Sequence, residues 1–159
     1  MKTEFRKVIP AREIRSLMAF DRKVFPPSDL FDADYWKACV VHWLIVDEVK
    51  VGCCAFEEHV DFQDDVRKDG VNPPLKGTLY IASTGILPKF QGQGLGTLLK
   101  SWQICYARRH GFKRIVTNTR SRNTAMIILN QEFGFDIVRT TPRYYTDPSD
   151  ATVVMELQM

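Results

Sequence analysis

The sequence predicts an α/β fold, a mixed sheet of about seven strands with helices on both faces. Three observations lead there. β-prone apolar runs and amphipathic stretches follow one another as β-α-α-β-β-β-α-β-α-β-β, which is not a regular βαβ alternation. The stretch Thr78–Gly111 sets a β-prone run ending at Leu87, a glycine-rich turn over Gln91–Gly96 and an amphipathic helix closing near His110 in immediate succession. The 159 residues carry no repeat and no linker composition, so one domain over 1–159 is expected, long enough to bury a core.

Charge is mixed and the net value is +3, without a basic block. That balance suits an anionic ligand and argues against nucleic acid, which needs a clustered basic face. Met1–Pro10 is charged and lacks an apolar signal core, and no run approaches the roughly 20 apolar residues that span a bilayer, so no membrane partner is expected. Cys39, Cys53, Cys54 and Cys105 form no C-x-x-C pair, and Cys53 and Cys54 point to opposite faces if they lie on a strand. Reduced thiols and a cytoplasmic location are the expectation. His42, His59 and His110 have no metal-ligand spacing, and no metal is expected.

Phe5–Ile9 is a β-prone run closed by Pro10. Ile14, Leu17, Met18 and Val24–Phe25 give Ala11–Phe25 helical spacing, and Pro26–Pro27 ends it. Asp32 or Asp34 caps a short helix through Tyr35, Trp36 and Ala38. Val41–Val46 and Lys50–Val60 read as antiparallel strands joined by a tight turn at Asp47–Glu48. In the second strand Val51, Cys53, Ala55, Glu57 and His59 share one face, with Gly52, Cys54, Phe56 and Glu58 on the other. Asp61–Lys76, broken by Gly70, Asn72, Pro73 and Pro74, is a long exposed connection. Beyond the central stretch, Arg114–Thr119 is a strand, and Asn123 opens a helix through Phe133 that Gly134 stops. Phe135–Arg139 and Ala151–Leu157 form a closing strand pair, and Pro142–Asp150 is the loop between them, with Tyr144 and Tyr145 at its start.

Gly92, Gly94 and Gly96 sit two apart at the head of the central helix. Glycine lets the backbone approach a ligand closely, so the N–H groups of Gln93, Gly94, Leu95, Gly96 and Thr97 can converge on one anion at the helix's positive end. Leu95, Leu98, Leu99, Trp102 and Tyr106 form the core stripe of that helix. A P-loop would need a lysine after the glycines, and a dinucleotide fingerprint from Gly92 would need glycine where Thr97 stands. Taken alone, these residues also allow a turn without a ligand, or a nucleotide-phosphate site unrelated to coenzyme A.

Two motifs carry a resemblance. Gln91–Gly96, Q-G-Q-G-L-G, resembles the Q/R-x-x-G-x-G/A acyl-coenzyme A signature of the GNAT superfamily of N-acetyltransferases, and the preceding I-L-P-K-F resembles that family's strand end. Asn123–Phe135, N-T-A-M-I-I-L-N-Q-E-F-G-F, resembles its second motif. The resemblance covers essentially the whole chain and is strongest over Thr78–Phe135. It implies a GNAT-like, mostly antiparallel sheet whose fourth and fifth strands splay, and acetyl transfer from acetyl-CoA to a primary amine. It further implies that Gln91, Gly92, Gln93, Gly94, Leu95, Gly96 and Thr97 hold the pyrophosphate, mainly by backbone amides. Ile86 and Leu87 would meet the acetyl and pantetheine groups through the strand backbone, and Asn118, Asn123, Met126 and Asn130 would line the far side of the cofactor slot. Helical spacing independently puts Asn123, Met126, Ile127 and Asn130 on one face, while Asn123 alone reads equally as an N-cap.

The chain departs from the family pattern at two positions. Many members place a tyrosine where Asn130 stands, as general acid, and asparagine can only hydrogen-bond there. The tail P-R-Y-Y-T-D-P-S-D-A-T-V-V-M-E-L resembles the ribosomal-protein alanine N-acetyltransferases, which carry a glutamate base where Asn118 stands. Two asparagines at the acid and base positions favour a small amine over a protein N-terminus as acceptor. They also keep open a non-catalytic acyl-CoA-binding module. Strand position makes Glu57, then Glu58, the candidate base; Tyr144, then Tyr145, is the candidate acid. Glu57, Glu58, Asp61, Asp64 and Asp65 suit a cationic acceptor or form a solvated loop. A homodimer is left open.

Overall fold

The computed structural model describes residues 1–58 and 77–159. The strands are β1 (Thr3–Val8), β2 (Val40–Val46), β3 (Val49–Glu57), β4 (Thr78–Ile86), β5 (Arg114–Arg120), β6 (Asp136–Tyr145) and β7 (Asp150–Gln158). The α-helices are α1 (Pro10–Val24), α2 (Ala33–Ala38), α3 (Leu95–Arg109) and α4 (Thr124–Glu132). Among the described residues, their order along the chain is the expected one. The strands form a seven-stranded sheet in the order β1-β2-β3-β4-β5-β7-β6. Among the described residues no helix is long and apolar enough to cross a membrane. The chain divides into two compact units, Met1–Glu57 with Ala82–Leu99, and Glu58–Ile81 with Lys100–Met159. The expected connection Asp61–Lys76, and the strand end at His59 and Val60, lie outside the described residues.

In the first unit β1, β2 and β3 form an antiparallel meander. β2 and the middle of β3 are buried residue after residue, which is why their sequences are continuous apolar runs rather than alternating ones. β1 is an edge strand, mostly exposed, and its Glu4, Arg6 and Lys7 discourage further pairing. Asp47 and Glu48 both take positive φ (48° and 71°), the two-residue hairpin geometry whose twist matches the strands. α1 lays Leu17 and Phe20 on this sheet, with the Phe20 ring edge-on to Trp43 at 5.5 Å. Pro10, expected to close β1, instead opens α1, where its missing N–H is no loss. Asp32, not Asp34, caps α2 by accepting the Tyr35 N–H at 2.8 Å.

In the second unit β4 and β5 pair in parallel from Thr78↔Arg114 to Ile81↔Thr117. The register ends there, although β4 continues to Ile86 and β5 to Arg120. β7 pairs antiparallel with both β5 and β6. β6 is longer than the sequence suggests. It takes in Pro142, Tyr144 and Tyr145, which were expected in a loop. As the outermost strand it tolerates a proline that cannot donate to a ladder, and its register shifts between Thr141 and Tyr145, where Arg143 takes φ 53°. Arg120 ties down the following turn by donating to the Pro148 carbonyl at 2.7 Å and the Thr146 carbonyl at 3.2 Å, with its guanidinium over the Tyr145 ring.

One glycine of the first unit, Gly52, allows β3 and the end of β4 to approach. A Cβ on Gly52 would lie 2.8 Å from Ile86 Cδ1 and 3.2 Å from both the Gly85 carbonyl oxygen and Leu44 Cβ. Next to it, the Leu87 N–H donates to the Val51 carbonyl at 2.8 Å. Gly52→Val is expected to lower unfolding free energy by about 1–3 kcal/mol, the scale of core overpacking. Urea denaturation followed by circular dichroism measures it, and an unchanged midpoint would mean that the β3–β4 approach is looser than described.

Candidate functional site

β4 passes through Leu87 into a 3₁₀ turn at Pro88–Phe90, because Pro88 cannot continue the ladder. The Gln91 side chain folds back and donates to the Ile86 carbonyl at 3.0 Å, locking the turn to the strand end. Gly92 and Gly94 take φ of 77° and 80°, and nothing lies within 4 Å of where either Cβ would be. These glycines answer to backbone shape and not to crowding. The first intrahelical bond of α3 runs from the Leu98 N–H to the Gly94 carbonyl at 3.1 Å. The N–H groups of Leu95, Gly96 and Thr97 therefore precede any intrahelical partner, and no acidic side chain sits in the first turn to neutralise the helix end. Gln91, Gly92, Gln93, Gly94 and Thr97 are exposed, whereas Leu95 points inward. The arrangement can hold a doubly charged anion on backbone amides.

Both backbone groups of Leu87 are engaged within this unit: its N–H goes to Val51, and its carbonyl accepts the Phe90 N–H at 2.9 Å. A cofactor contact at Leu87 has to share the carbonyl, which has a second lone pair.

Glu57 ends β3 half-buried, and its Oε2 accepts the Tyr35 hydroxyl of α2 at 2.8 Å. The Tyr35 ring is edge-on to Phe31 at 4.6 Å. Cys39 adjoins this pair. Burial first, then the Glu57 charge, pushes its thiol up to about 12, against a smaller opposite pull from Tyr35. In the second unit Glu58 accepts the Tyr106 hydroxyl of α3 at 2.5 Å, and His110 stacks on the Tyr106 ring at 3.9 Å. Each candidate carboxylate thus meets its own tyrosine.

The second unit gathers a set of hydroxyls around Asn118. The Tyr80 hydroxyl donates to Asn118 Oδ1, while Asn118 Nδ2 donates to the Tyr145 hydroxyl at 3.1 Å and to Thr152 Oγ1 at 3.0 Å. Tyr144 is half-buried with its ring edge-on to Tyr145 at 4.9 Å. The structure thus ties Tyr145 to Asn118 directly, and the Tyr144 ring meets Tyr145. Asn123 caps α4, its Oδ1 accepting the Met126 N–H at 3.2 Å, and is exposed. Asn130, on the same face, is 0 % exposed, with Nδ2 on the Met155 sulfur at 3.5 Å; among the described residues its Oδ1 has no hydrogen-bond partner. The shared face runs from solvent at Asn123, past half-buried Met126, into the core at Asn130.

Sequence reasoning missed Tyr80 and Tyr35. Tyr80 carries one available signal, a lone phenol in an otherwise aliphatic part of β4. Tyr35 carries none beyond its place on a short helix.

The pattern of the acetyltransferase (GNAT) family matches residues 11–135. The chain belongs to that family and is an acetyltransferase by descent. It is similar to a Drosophila melanogaster protein named as the probable N-acetyltransferase san, 28% identical over 93% of this chain and 77% of the relative. It is also similar to N-alpha-acetyltransferase 50 of Danio rerio, 26% identical over 93% of this chain and 84% of the relative. In fold it resembles the ribosomal-protein-S18-alanine N-acetyltransferase of Escherichia coli (TM-score 0.78, 15% identity, 99% and 94% of the two chains). A Salmonella typhimurium protein assigned as an acetyltransferase, solved with its cofactor acetyl-CoA, has the same fold (TM-score 0.74, 21% identity, 99% and 94%).

The four cysteines are free thiols; Cys39, Cys53 and Cys54 are buried and Cys105 is exposed. Burial raises the Cys39 and Cys53 pKa, which makes both poor nucleophiles. One thiol per folded chain, Cys105, is expected to react with a disulfide reagent at neutral pH, and Cys105→Ser should remove the fast phase. Fast labelling of Cys39 would contradict the burial described around Glu57.

Proposed function

We propose that the chain moves an acetyl group from acetyl-CoA to a primary amine, with the α-amine of a polypeptide as the first acceptor class. The carrying observation is the turn Gln91–Thr97, whose glycine-shaped backbone and helix end without an acidic side chain in its first turn suit the diphosphate of coenzyme A. The Salmonella relative's cofactor supports the same donor. The names of the Drosophila and Danio relatives support a polypeptide acceptor. A small amine is the second reading, because asparagines stand at 118 and 130, where an acid and a base are usual. Tyr80 and Tyr145 soften that argument by bringing two hydroxyls to Asn118.

In this reading the acceptor nitrogen attacks the thioester carbonyl carbon and the C–S bond breaks. Glu57 takes the ammonium proton, and a phenol returns a proton to the departing sulfur. Tyr144 is the assigned acid and Tyr145 its alternative, with Tyr80 added by the structure. Gln91–Thr97 and Glu57 belong to the first unit, and Asn118, Asn123 and Met126 to the second. Asn130 serves as a buried support of α4. The full chain is read as one acetyltransferase domain.

Thiol release from acetyl-CoA, measured against tetrapeptides with varied first residues and against small primary amines, tests the acceptor class. Peptide turnover without small-amine turnover is expected. Cofactor binding with no turnover on either panel would leave an acyl-CoA-binding module. Gly94→Glu places a carboxylate in the anion cradle and should abolish coenzyme A binding by calorimetry, whereas Gly94→Ala, which carries the same backbone strain at φ 80° without the charge, should retain more of it. Glu57→Gln and Tyr144→Phe should each lower kcat by about 10²–10⁴-fold, the range of general acid–base catalysis. If Tyr80→Phe has that effect and Tyr144→Phe does not, the acid is Tyr80.

A further inference from the structure

Asp21 lies in the last turns of α1 and is 2% exposed. Its Oδ2 accepts the Phe31 N–H at 2.9 Å, ten residues along the chain. The Trp36 indole N–H is directed at the same carboxyl without completing a hydrogen bond. Asp21's backbone carbonyl accepts the Phe25 N–H at 2.9 Å and so ends α1. Phe31 in turn packs edge-on against Tyr35 at 4.6 Å and Trp36 at 5.2 Å. Asp21 therefore meets both ends of the segment joining α1 to α2, its backbone carbonyl at Phe25 and its carboxylate at Phe31, and α2 just beyond delivers the Tyr35 hydroxyl to Glu57 at 2.8 Å.

We propose that Asp21 is a positioning residue for the acceptor end of the reaction: ionised, it clamps Phe31 and, through Phe31, holds Tyr35 against Glu57. This rests on the reading of Glu57 as the group that meets the acceptor. Two further observations fit. Among the described residues no cation forms an ion pair with Asp21, so Phe31 carries the hydrogen bonding of a buried charge. Burial raises its pKa from 3.8 to about 6, the Phe31 and Trp36 N–H groups pull the other way, Asp29 adds repulsion and Arg22 a weak attraction. From β3, Cys53 faces the carboxyl as a neutral thiol, its own pKa raised well above the ordinary by burial. Because the folded pKa lies above the unfolded one, Asp21's contribution to stability is greatest below pH 3.8 and is lost as pH rises to about 6. At neutral pH the fold holds the charged form at a cost to stability, while the charge strengthens the clamp on Phe31.

The test uses the full chain, the peptide or amine with the fastest thiol release in the panel above, and tyrosines labelled with ¹³C at Cζ. Asp21→Asn keeps the shape and removes the charge. At pH 7.5 it should raise the acceptor KM about tenfold, the scale of one charge-assisted hydrogen bond, and leave the acetyl-CoA KM unchanged. The variant-to-wild-type ratio of acceptor KM should fall towards one as pH drops through about 6, where the wild-type carboxyl takes up its proton. The Tyr35 Cζ signal, assigned with Tyr35→Phe, should move in Asp21→Asn towards the position of an exposed tyrosine. An unmoved Tyr35 signal with an unchanged acceptor KM overturns the proposal. A moved signal with unchanged acceptor KM in Asp21→Asn, together with unchanged kcat and acceptor KM in Glu57→Gln, overturns the reading of Glu57 instead, and the Asp21–Tyr35 coupling stands. If Asp21→Asn does not fold, Tyr35→Phe decides: it leaves the Asp21 clamp in place and must raise the acceptor KM alone.

Discussion

The parallel ladder between β4 and β5 stops at Ile81↔Thr117, and much of the chain's design follows from that short pairing. Parallel neighbours cannot be joined by a tight turn, so the chain must leave the carboxyl end of β4, cross over and return. The crossover begins with the 3₁₀ turn at Pro88–Phe90, continues through the glycine turn and becomes α3. A helix N-terminus is thereby set just beyond a strand's carboxyl end, where open α/β sheets present ligands with backbone donors. Past Ile81 the backbone groups on that edge of β4 need partners other than the ladder. The exposed amides of the turn and the half-paired strand end are products of one topological fact.

Tyrosine hydroxyls anchor the polar groups that this topology leaves in partly buried places. Tyr35 meets Glu57, Tyr106 meets Glu58, and Tyr80 and Tyr145 meet Asn118. A phenol buries a large ring and ends in one group that both donates and accepts, so it satisfies a carboxylate or amide without importing a charge. A lysine or arginine in the same role would have to be desolvated itself, at a cost that often exceeds the attraction.

Much of the fold was legible because its signals are local. Helical spacing over Ile14, Leu17 and Met18, the continuous apolar β2 and the glycine turn each announce one element from a few adjacent residues. β6 was shortened in the sequence reading because Pro142 normally ends a strand; only the strand's outer position, a property of the whole sheet, makes it tolerable. The site was legible in the same uneven way. The anion turn is a contiguous motif. The tyrosine pairs join residues 22, 38 and 48 positions apart, and no local pattern encodes such meetings. Helical spacing puts Asn123 and Asn130 on one face, but depth along that face depends on what packs beneath, which is how Asn130 comes to rest against Met155.

Glycine serves two unrelated purposes a short distance apart in the first unit, and the contrast separates folding from binding. At Gly92 and Gly94 the space around a Cβ is empty and only the left-handed backbone demands glycine, so a larger side chain there meets solvent and whatever the turn holds. At Gly52 the backbone makes no such demand, but Ile86, Leu44 and the Gly85 carbonyl fill the space, and a side chain there pushes β3 from the end of β4. Gly85 is crowded in turn by Phe20, Val24 and Phe25, all between 3.2 and 3.3 Å from a Cβ. That contact ties the strand end to the last turns of α1, the same turns that carry Asp21. The end of β4 therefore has its shape fixed from two sides, by β3 through Gly52 and by α1 through Gly85, before the glycine turn begins. A turn made of flexible residues can present its amides in one arrangement only if its base is rigid, and these two crowded glycines supply that base.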